Sequence, residues 1–475
     1  MNTHLNKQAL QAQLLTLQQL YQRTTPSDYK TRIKRLNKLS TILQTYTQDL
    51  AVAISEDFTH RSIEETKLLD IVPALSAIDY IKANLRNWMR ADRRKIPWYF
   101  QPALARVEYQ PLGAVGIVVP FNYPLQLLFT PLAYALAAGN VCMINISEHM
   151  PAFSQCVGRY LHEAFDDGDV QVINGDLDTA KIFVDLPFDH LFFTGSTAVA
   201  KTVLHNTAEN LVPTTLELGG KSSAMITANY PLKSAANKIL YSKLVNAGQT
   251  CIATDHVILA EQQLNEFIHL AKQYTCGFYP DFWNNPHYSH IISAAHYQRL
   301  QDLLDDARDK GAHLIPLVAD KPKQQKDQRF PPCLLTNVTD AMRIMQEEIF
   351  GPILPVITYT DWQEGLQMVK RWSSAPLIIY YFDHDKKRSQ TFVDKTRSGN
   401  ISINSTLIQM AVDDLPFGGI GASGMGRYHG KEGFLCFSNQ RSVFKQRRFN
   451  TVKLFMPPYK RFTMRLLKFL FGITD

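Results

Sequence analysis

The stretch LGAVGIVVPFNYPLQLLFTPLAYALAAGNVCMINIS, residues 112–147, decides the fold class of this chain. It contains no charged residue over a length that could cross a bilayer. However, Pro120, Pro124, Pro131 and Gly139 interrupt it repeatedly. The pattern predicts a buried strand, a turn, a helix and a second buried strand, which is typical of a parallel α/β sheet. We therefore interpret the stretch as part of a globular core and reject a membrane span.

The same alternation of strands and helices continues on the C-terminal side of this stretch. Short apolar runs alternate with helical stretches up to about residue 212, and the rhythm resumes through residues 232–404. On the N-terminal side, residues 5–56 and 62–90 have helical spacing, and the prolines and aromatics of residues 95–111 predict an extended arm. KPKQQKDQ, residues 321–328, predicts a charged loop. Two α/β lobes with an arm explain this organisation best.

The composition is that of a globular protein of two or three domains, with 475 residues, 45% hydrophobic and 20% charged. A net charge of +7 is a mild bias toward anionic ligands, and we expect no nucleic-acid partner. The six cysteines form no CxxC pair, which disfavours a metal site and indicates a reducing compartment. The polar start MNTHLNKQALQAQ lacks the apolar run of a signal peptide. We therefore expect a cytoplasmic protein without a bound metal.

Three residues are candidates for covalent chemistry. Cys251 lies in NAGQTCIA, a turn of small residues that a substrate could approach, although most cysteines are small buried hydrophobes. Glu217 lies among apolar residues in LELGGKS, where desolvation would raise its pKa toward that of a general base; a salt-bridged strand end is the alternative. Asn122 of VVPFNYP could donate to an oxyanion or be a simple turn residue.

Three further segments are candidates for ligand binding. In FFTGSTAVAK, an apolar strand runs into Gly195, and Ser196 and Thr197 are expected to cap the next helix. A helix N-terminus at such a turn can receive a pyrophosphate, but the segment is not a GxGxxG fingerprint. In EEIFGPILPV, Glu348 and Phe350 could hold a ribose and a flat ring. LPFGGIGASGMG is a glycine-rich loop, and both of these segments could equally be ordinary loops.

The order of these motifs resembles the aldehyde dehydrogenase superfamily from about residue 70 to 450. PFNYP, FTGST, LELGGKS, NAGQTC, EEIFGP and LPFGG follow one another as they do in that family. RFPPCLLTNV and SGMGRYHGKEGF are similar to its class 3 branch, in particular to bacterial coniferyl aldehyde dehydrogenases. The resemblance implies a Rossmann-like cofactor domain at 1–212 with an oligomerisation arm at 91–111, and a catalytic α/β domain at 213–405. A return segment at 406–450 and a tail at 451–475 follow, and a homodimer is expected.

The resemblance also implies a role for each matching residue. Cys251 would be the nucleophile, Glu217 the general base and Asn122 the amide of the oxyanion hole. The residues expected to contact the cofactor are Gly195, Ser196, Thr197, Ala200, Asn145, Ser147, Glu148, Leu218, Glu348 and Phe350. The implied reaction is NAD(P)-dependent oxidation of an aldehyde to a carboxylic acid through a cysteine thiohemiacetal and thioester. The expected substrate is a coniferyl-type aromatic aldehyde or a medium- to long-chain aliphatic one.

Two residues depart from the family pattern. Asn145 stands where the family has a lysine that holds the adenosine ribose and its phosphate, so NAD is expected to be favoured over NADP. Glu148 would add repulsion toward the 2′-phosphate. Ala200 replaces a glycine and could crowd the phosphates slightly. Neither departure affects the three residues expected to react.

The C-terminal tail YKRFTMRLLKFLFGI, residues 459–473, is basic and amphipathic. Its spacing places five apolar residues on one helical face beside three cations. The face consists of Phe462, Leu466, Phe469, Leu470 and Ile473, and the cations are Arg461, Arg465 and Lys468. This pattern fits peripheral contact with a membrane surface, and equally a helix packed on its own subunit or on a partner.

Two other functions are consistent with some of these residues. A cysteine hydrolase or amidase could use a cysteine, a glutamate and an asparagine without redox chemistry. FTGST and EEIFGP argue against it, because they serve no purpose without a dinucleotide. A non-catalytic scaffold related to the family is the second alternative, suggested by Asn145.

Overall fold

The protein is described here by a computed structural model that covers residues 6–24, 26–320, 327–372, 375–449 and 456–472. Most of the loop predicted at 321–328, and Ile473 of the predicted tail face, lie outside the described residues.

Sixteen strands and seventeen α-helices form in those residues. The strands are β1 Asp92–Arg94, β2 Leu104–Pro111, β3 Ala114–Val119, β4 Val141–Ile146, β5 Val170–Ile173, β6 His190–Thr194, β7 Thr214–Glu217, β8 Ser223–Ile226, β9 His256–Ala260, β10 His313–Pro316, β11 Cys333–Thr336, β12 Ile353–Tyr359, β13 Ile378–Phe382, β14 Asn400–Ile403, β15 Gly424–Met425 and β16 Ser438–Lys445. The helices are α1 Lys7–Thr24, α2 Tyr29–Thr45, α3 Thr47–Asp57, α4 Ile63–Thr66, α5 Val72–Trp88, α6 Pro124–Ala138, α7 Pro151–Ala164, α8 Leu177–Val184, α9 Thr197–Glu209, α10 Leu232–Leu244, α11 Leu264–Phe278, α12 Ala294–Asp309, α13 Arg343–Gln346, α14 Trp362–Trp372, α15 Lys386–Lys395, α16 Gly430–Cys436 and α17 Arg461–Phe471.

The strands form three sheets. A six-stranded sheet has the order β15-β7-β6-β3-β4-β5 and is parallel except for β15. A seven-stranded sheet has the order β10-β11-β12-β9-β8-β13-β14 and is parallel except for β10. A small antiparallel sheet has the order β1-β2-β16. The chain therefore has two parallel α/β layers and a separate arm of strands.

The uncharged stretch at 112–147 forms β3, α6 and β4, as its sequence predicts. β3 and β4 pair in parallel, and every residue of α6 is buried, so the helix needs no polar face. Gly139 ends α6 with φ = 99°, a left-handed conformation that glycine adopts without strain. The side chain of Asn140 then accepts from the Gly113 N–H and donates to the Phe437 carbonyl. The membrane-like composition thus reflects burial inside the protein.

The tail forms the helix α17, as predicted, and the residues of its apolar face differ in exposure. Thr463 is buried and Leu466 and Leu470 are half-buried, whereas Phe462 and Phe469 are 66% and 86% exposed. The packing of α17 on the rest of the protein buries Thr463, and hydrophobicity alone does not identify this residue as buried. None of the helices in the described residues has both the length and the apolar character of a membrane span.

Candidate active site

The crevice for a ligand is set by the strand order of the six-stranded sheet. From β3 the chain proceeds outward through β4 and β5, then returns to place β6 and β7 on the other side of β3. Ligands of open α/β sheets bind at such a switch point, beyond the carboxyl ends of the strands. Phe121 follows β3 at this edge, and Gly195 and Ser196 follow β6. The turn predicted to receive phosphates therefore lies at the topological switch point.

The structure identifies Ser196 as the cap of α9. Its hydroxyl oxygen accepts from the Val199 N–H at 3.3 Å, and the first N–H groups of α9 remain available at the crevice. The prediction that Thr197 shares the capping is wrong. Thr197 is the first residue of the helix, and its hydroxyl donates to the Ala422 carbonyl at 2.9 Å, which ties α9 to the glycine-rich loop.

The other residues expected around the cofactor differ in exposure. Ala200 and Leu218 are buried in one apolar cluster, so the methyl group of Ala200 packs into the core. Asn145 is buried on β4, and its Nδ2 has no hydrogen-bond partner in the described part of the chain. Ser147 and Glu148 are half-buried beyond the end of β4. Of these residues, Glu148 alone carries a charge toward the crevice edge.

Cys251 follows a tightly constrained loop after α10. Asn246 and Ala247 both have positive φ values of about 50°. Gly248 approaches the Gly351 carbonyl so closely that a Cβ at this position would collide with it. The Gln249 side chain donates to the carbonyls of Asn246 and His290, each at 3.0 Å. These contacts fix the backbone that presents Cys251.

The sulfur of Cys251 is half-buried in an acidic environment. Burial, together with the carboxylates of Glu348 and Glu217, raises the pKa of its thiol to about 12. The backbone N–H groups of Cys251 and Ile252 act in the opposite direction. Both carboxylates therefore lie close enough to the Cys251 thiol to act on it electrostatically. In this environment the thiol is protonated, and its ionisation requires an added positive charge or a base.

Glu217 ends β7 and is almost completely buried. Its carbonyl accepts from the Gly195 N–H at 3.1 Å, and the next N–H, of Leu218, donates to the Ser423 carbonyl at 3.1 Å. Both carboxylate oxygens lack a hydrogen-bond partner within the described residues. Burial raises the pKa of Glu217 well above its ordinary value, and the positive charge of Arg427 offsets only part of this rise. Such a carboxylate can accept a proton near neutral pH.

Glu348 extends its carboxylate over Gly219, where any Cβ would collide with it. The Gly220 N–H stabilises its charged form, but burial and Asp255 raise the pKa of Glu348 to about 8. Phe350 has a φ of 49°, and its ring lies 5.8 Å from the ring of Phe121 across the crevice. The Glu348 carboxylate beside Gly219 fits the ribose of a dinucleotide, and the flat ring of Phe350 fits its aromatic ring.

Lys221 is a structural residue that the sequence interpretation did not identify. Its ammonium pairs with Asp255 and donates to the carbonyls of Ile344 at 2.8 Å and Glu347 at 3.1 Å. Asp255 in turn accepts from the Ile349 N–H at 3.0 Å. The lysine of LELGGKS therefore anchors the segment that carries Glu348.

Asn122 lies beyond the end of β3 and is buried. Its carbonyl accepts from Arg61 Nη1 at 2.7 Å and from Asn246 Nδ2 at 2.9 Å. The Asn122 side-chain amide makes no hydrogen bond to the described residues. Because Asn246 belongs to the loop that presents Cys251, the backbone of Asn122 is tied directly to the loop of the nucleophile candidate.

Comparison with known proteins agrees with this geometry. Residues 9–443 match the aldehyde dehydrogenase family. The chain belongs to the aldehyde dehydrogenase family. It is 46% identical to a probable coniferyl aldehyde dehydrogenase of Pseudomonas aeruginosa, over 94% of this chain and 92% of that protein. It is 34% identical to rat aldehyde dehydrogenase family 3 member B1, over 92% of each chain.

Among solved structures, the chain is similar to the substrate-bound state of Staphylococcus aureus AldH. The TM-score is 0.90 at 34% identity, covering 97% of this chain and 99% of that one. The fold implied by the sequence resemblance is therefore confirmed. This aldehyde dehydrogenase is an NAD(P)-dependent oxidoreductase that converts aldehydes to carboxylic acids.

Proposed function

We propose that this aldehyde dehydrogenase uses Cys251 as the nucleophile, Glu217 as the general base and Asn122 as the oxyanion donor. The observation that carries the proposal is the convergence of three groups: the Cys251 sulfur lies within electrostatic range of the carboxylates of Glu217 and Glu348. The alternatives of a hydrolase or a scaffold give no reason for Glu348 to lie beside the nucleophile.

The reaction follows from the positions of these side chains. The Cys251 thiol first loses its proton to water, an ionisation that a cationic ring bound beside it would favour. The resulting thiolate attacks the aldehyde carbon to form a thiohemiacetal, and the Asn122 amide and the Cys251 N–H donate to its oxyanion. Loss of hydride from the same carbon leaves a thioester on Cys251. Glu217 then takes a proton from the water that hydrolyses the thioester to the acid. When bound, a nicotinamide dinucleotide supplies a cationic ring that accepts the hydride.

The residues at the crevice fit such a dinucleotide. The turn at Gly195 and Ser196 would hold the pyrophosphate, and Glu348 would accept from the ribose hydroxyls.

Assaying a panel of aldehydes at the absorbance band of the reduced nicotinamide tests the function. We propose a coniferyl-type aromatic aldehyde or a medium- to long-chain aliphatic aldehyde as substrate, supported for the aromatic class by the name of the Pseudomonas aeruginosa relative. The ratio of kcat/KM between these two classes identifies the class.

NAD is expected to bind more tightly than NADP, by about tenfold or more. Asn145 is neutral and buried, and the half-buried Glu148 would repel a 2′-phosphate. Asn145→Lys should tighten NADP binding more than NAD binding, because only NADP carries the 2′-phosphate. Fluorescence titration of both cofactors measures these affinities. The variant Glu148→Gln removes the negative charge and so measures its repulsion of the 2′-phosphate. Tighter binding of NADP than of NAD by the unmodified protein would contradict the proposal.

We also propose that the protein is cytoplasmic and homodimeric, and that α17 contacts a membrane surface peripherally. The dimer would form through the arm, because β2 and β16 make a separate antiparallel sheet. Arg461, Arg465 and Lys468 are exposed on α17, next to the exposed rings of Phe462 and Phe469. Cations beside aromatics favour the surface of an anionic bilayer.

The full chain should sediment with anionic vesicles and less so with zwitterionic ones, because the charge on α17 supplies part of the attraction. A chain truncated after residue 458 should lose this binding. Equal sedimentation of the two chains would rule out membrane contact through α17.

A further inference from the structure

A buried group of charged residues lies behind the proposed active site. Arg61 is fully buried, and its guanidinium lies between two carboxylates. Arg61 Nε is 3.7 Å from Glu65 Oε1, and Arg61 Nη1 is 3.8 Å from Asp70 Oδ2. These three residues belong to the segment HRSIEETKLLD, whose spacing predicts only a helix. Removing charges from water costs free energy, and the contacts of this cluster show which parts of the protein it holds.

The first contact of this cluster is with Asn122. Arg61 Nη1 donates to the Asn122 carbonyl at 2.7 Å, a hydrogen bond strengthened by the charge of the donor. The guanidinium also lies over the ring of Tyr123, 4.8 Å from its centre, and 5.3 Å from that of Phe58. Arg61 thereby holds the carbonyl of Asn122 and packs on the ring of the residue that follows it.

The second contact is with the loop that presents Cys251. Both carboxylate oxygens of Glu65 accept from the Asn246 N–H, at 3.0 and 3.1 Å. Asn246 has a φ of 49°, a left-handed conformation that few residues other than glycine and asparagine adopt readily. Its side chain donates to the same Asn122 carbonyl that Arg61 binds. Glu65 thus holds the residue with positive φ that starts the nucleophile loop.

The third contact joins the cluster to α6. Asp70 accepts from the Gln126 N–H in the first turn of that helix. Because an anion at a helix N-terminus is favourable, Asp70 also stabilises the orientation of α6. Asn122 is therefore held from three directions: by Arg61, by Asn246 and by the start of the helix that follows it.

We infer that Arg61 and Glu65 are positioning residues that set the distance between the Asn122 amide and the Cys251 sulfur. This inference rests on the proposed roles of Asn122 and Cys251. Arg61 and Glu65 act through the backbones of Asn122 and Asn246. Their ion pair connects the backbone of the oxyanion donor to the backbone of the nucleophile loop. A displacement of about 1 Å between reacting groups lowers the rate of a positioned reaction by about 100-fold.

Arg61→Lys tests the inference, since a lysine keeps the charge but cannot bridge Asn122, Glu65 and Asp70 with one planar group. The pre-steady-state burst of reduced nicotinamide should slow by about 100-fold. The cofactor Kd and the aldehyde KM should stay within about twofold of the parent values. A residue with a merely structural role would not produce this split between rate and binding.

The matched control is Arg35→Lys. Arg35 makes an equally buried pair with Asp169, at 2.6 and 2.7 Å, away from the site. This variant should lower Tm without slowing the burst.

If Arg61→Lys does not fold, Glu65→Gln takes its place with the same expected result. A folded variant of the pair that keeps the parent burst rate would overturn the inference. Full turnover by Cys251→Ala would instead refute the proposed nucleophile, which keeps the two failures distinguishable.

Discussion

Replacing Cys251 with alanine is expected to reduce aldehyde oxidation by at least about a thousandfold. The reason is that the Cys251 sulfur lies within electrostatic range of both Glu217 and Glu348, and the route through a thioester needs a sulfur. Cofactor binding should change little, because the ligand groups of the crevice belong to other residues. Steady-state formation of the reduced nicotinamide measures the loss, and a dinucleotide titration shows that the variant is folded.

Cys156→Ala is the control for this substitution. Cys156 is also half-buried, but it lies on α7, away from the active site, so its removal should leave turnover within about twofold. Full activity of Cys251→Ala would refute the proposed nucleophile. Acyl transfer by the unmodified protein without any dinucleotide would instead favour the hydrolase alternative.

Glu217→Gln is expected to separate the two halves of the reaction. Hydride transfer precedes hydrolysis, so the variant should release about one equivalent of reduced nicotinamide per site and then slow by about a hundredfold or more. Glutamine fills the same volume but cannot take a proton from water. Stopped-flow absorbance measures both the burst and the steady rate. A variant with neither burst nor turnover would place Glu217 in the first half of the reaction.

The pH dependence provides a second test of Glu217. Burial raises the pKa of this carboxyl, and only the ionised form can act as a base. Hydrolysis of the thioester should therefore speed up as pH rises and level off above the raised pKa. Glu217→Gln should lack this dependence. A hydrolysis rate that falls as pH rises through the same range would have the wrong sign for a general base.

The sequence predicted the features that depend on local pattern. The uncharged run at 112–147 predicted β3, α6 and β4, because apolar composition with prolines at the junctions determines these elements. The burial of Glu217 also followed from its apolar neighbours. Motif order indicated the family, and with it residues such as Glu348 whose role no local pattern reveals.

Long-range contacts could not be predicted in this way. Arg61 and Asn122 are distant in sequence, and nothing near Arg61 indicates that its guanidinium reaches an active-site carbonyl. Nothing in LELGGKS indicates that Lys221 anchors a segment more than 120 residues away. The buried side of α17 depended on Thr463 and on what it packs against. Each of these features is determined by the tertiary fold rather than by spacing.

Mass spectrometry of the intact Glu217→Gln protein, quenched after one turnover, tests the central claim most directly. With hydrolysis blocked, the protein should gain the mass of the aldehyde less two hydrogens, which is the mass of a thioester. Peptide mapping should place this adduct on Cys251. An adduct on another residue, or a burst of reduced nicotinamide with no adduct, would contradict covalent catalysis by Cys251.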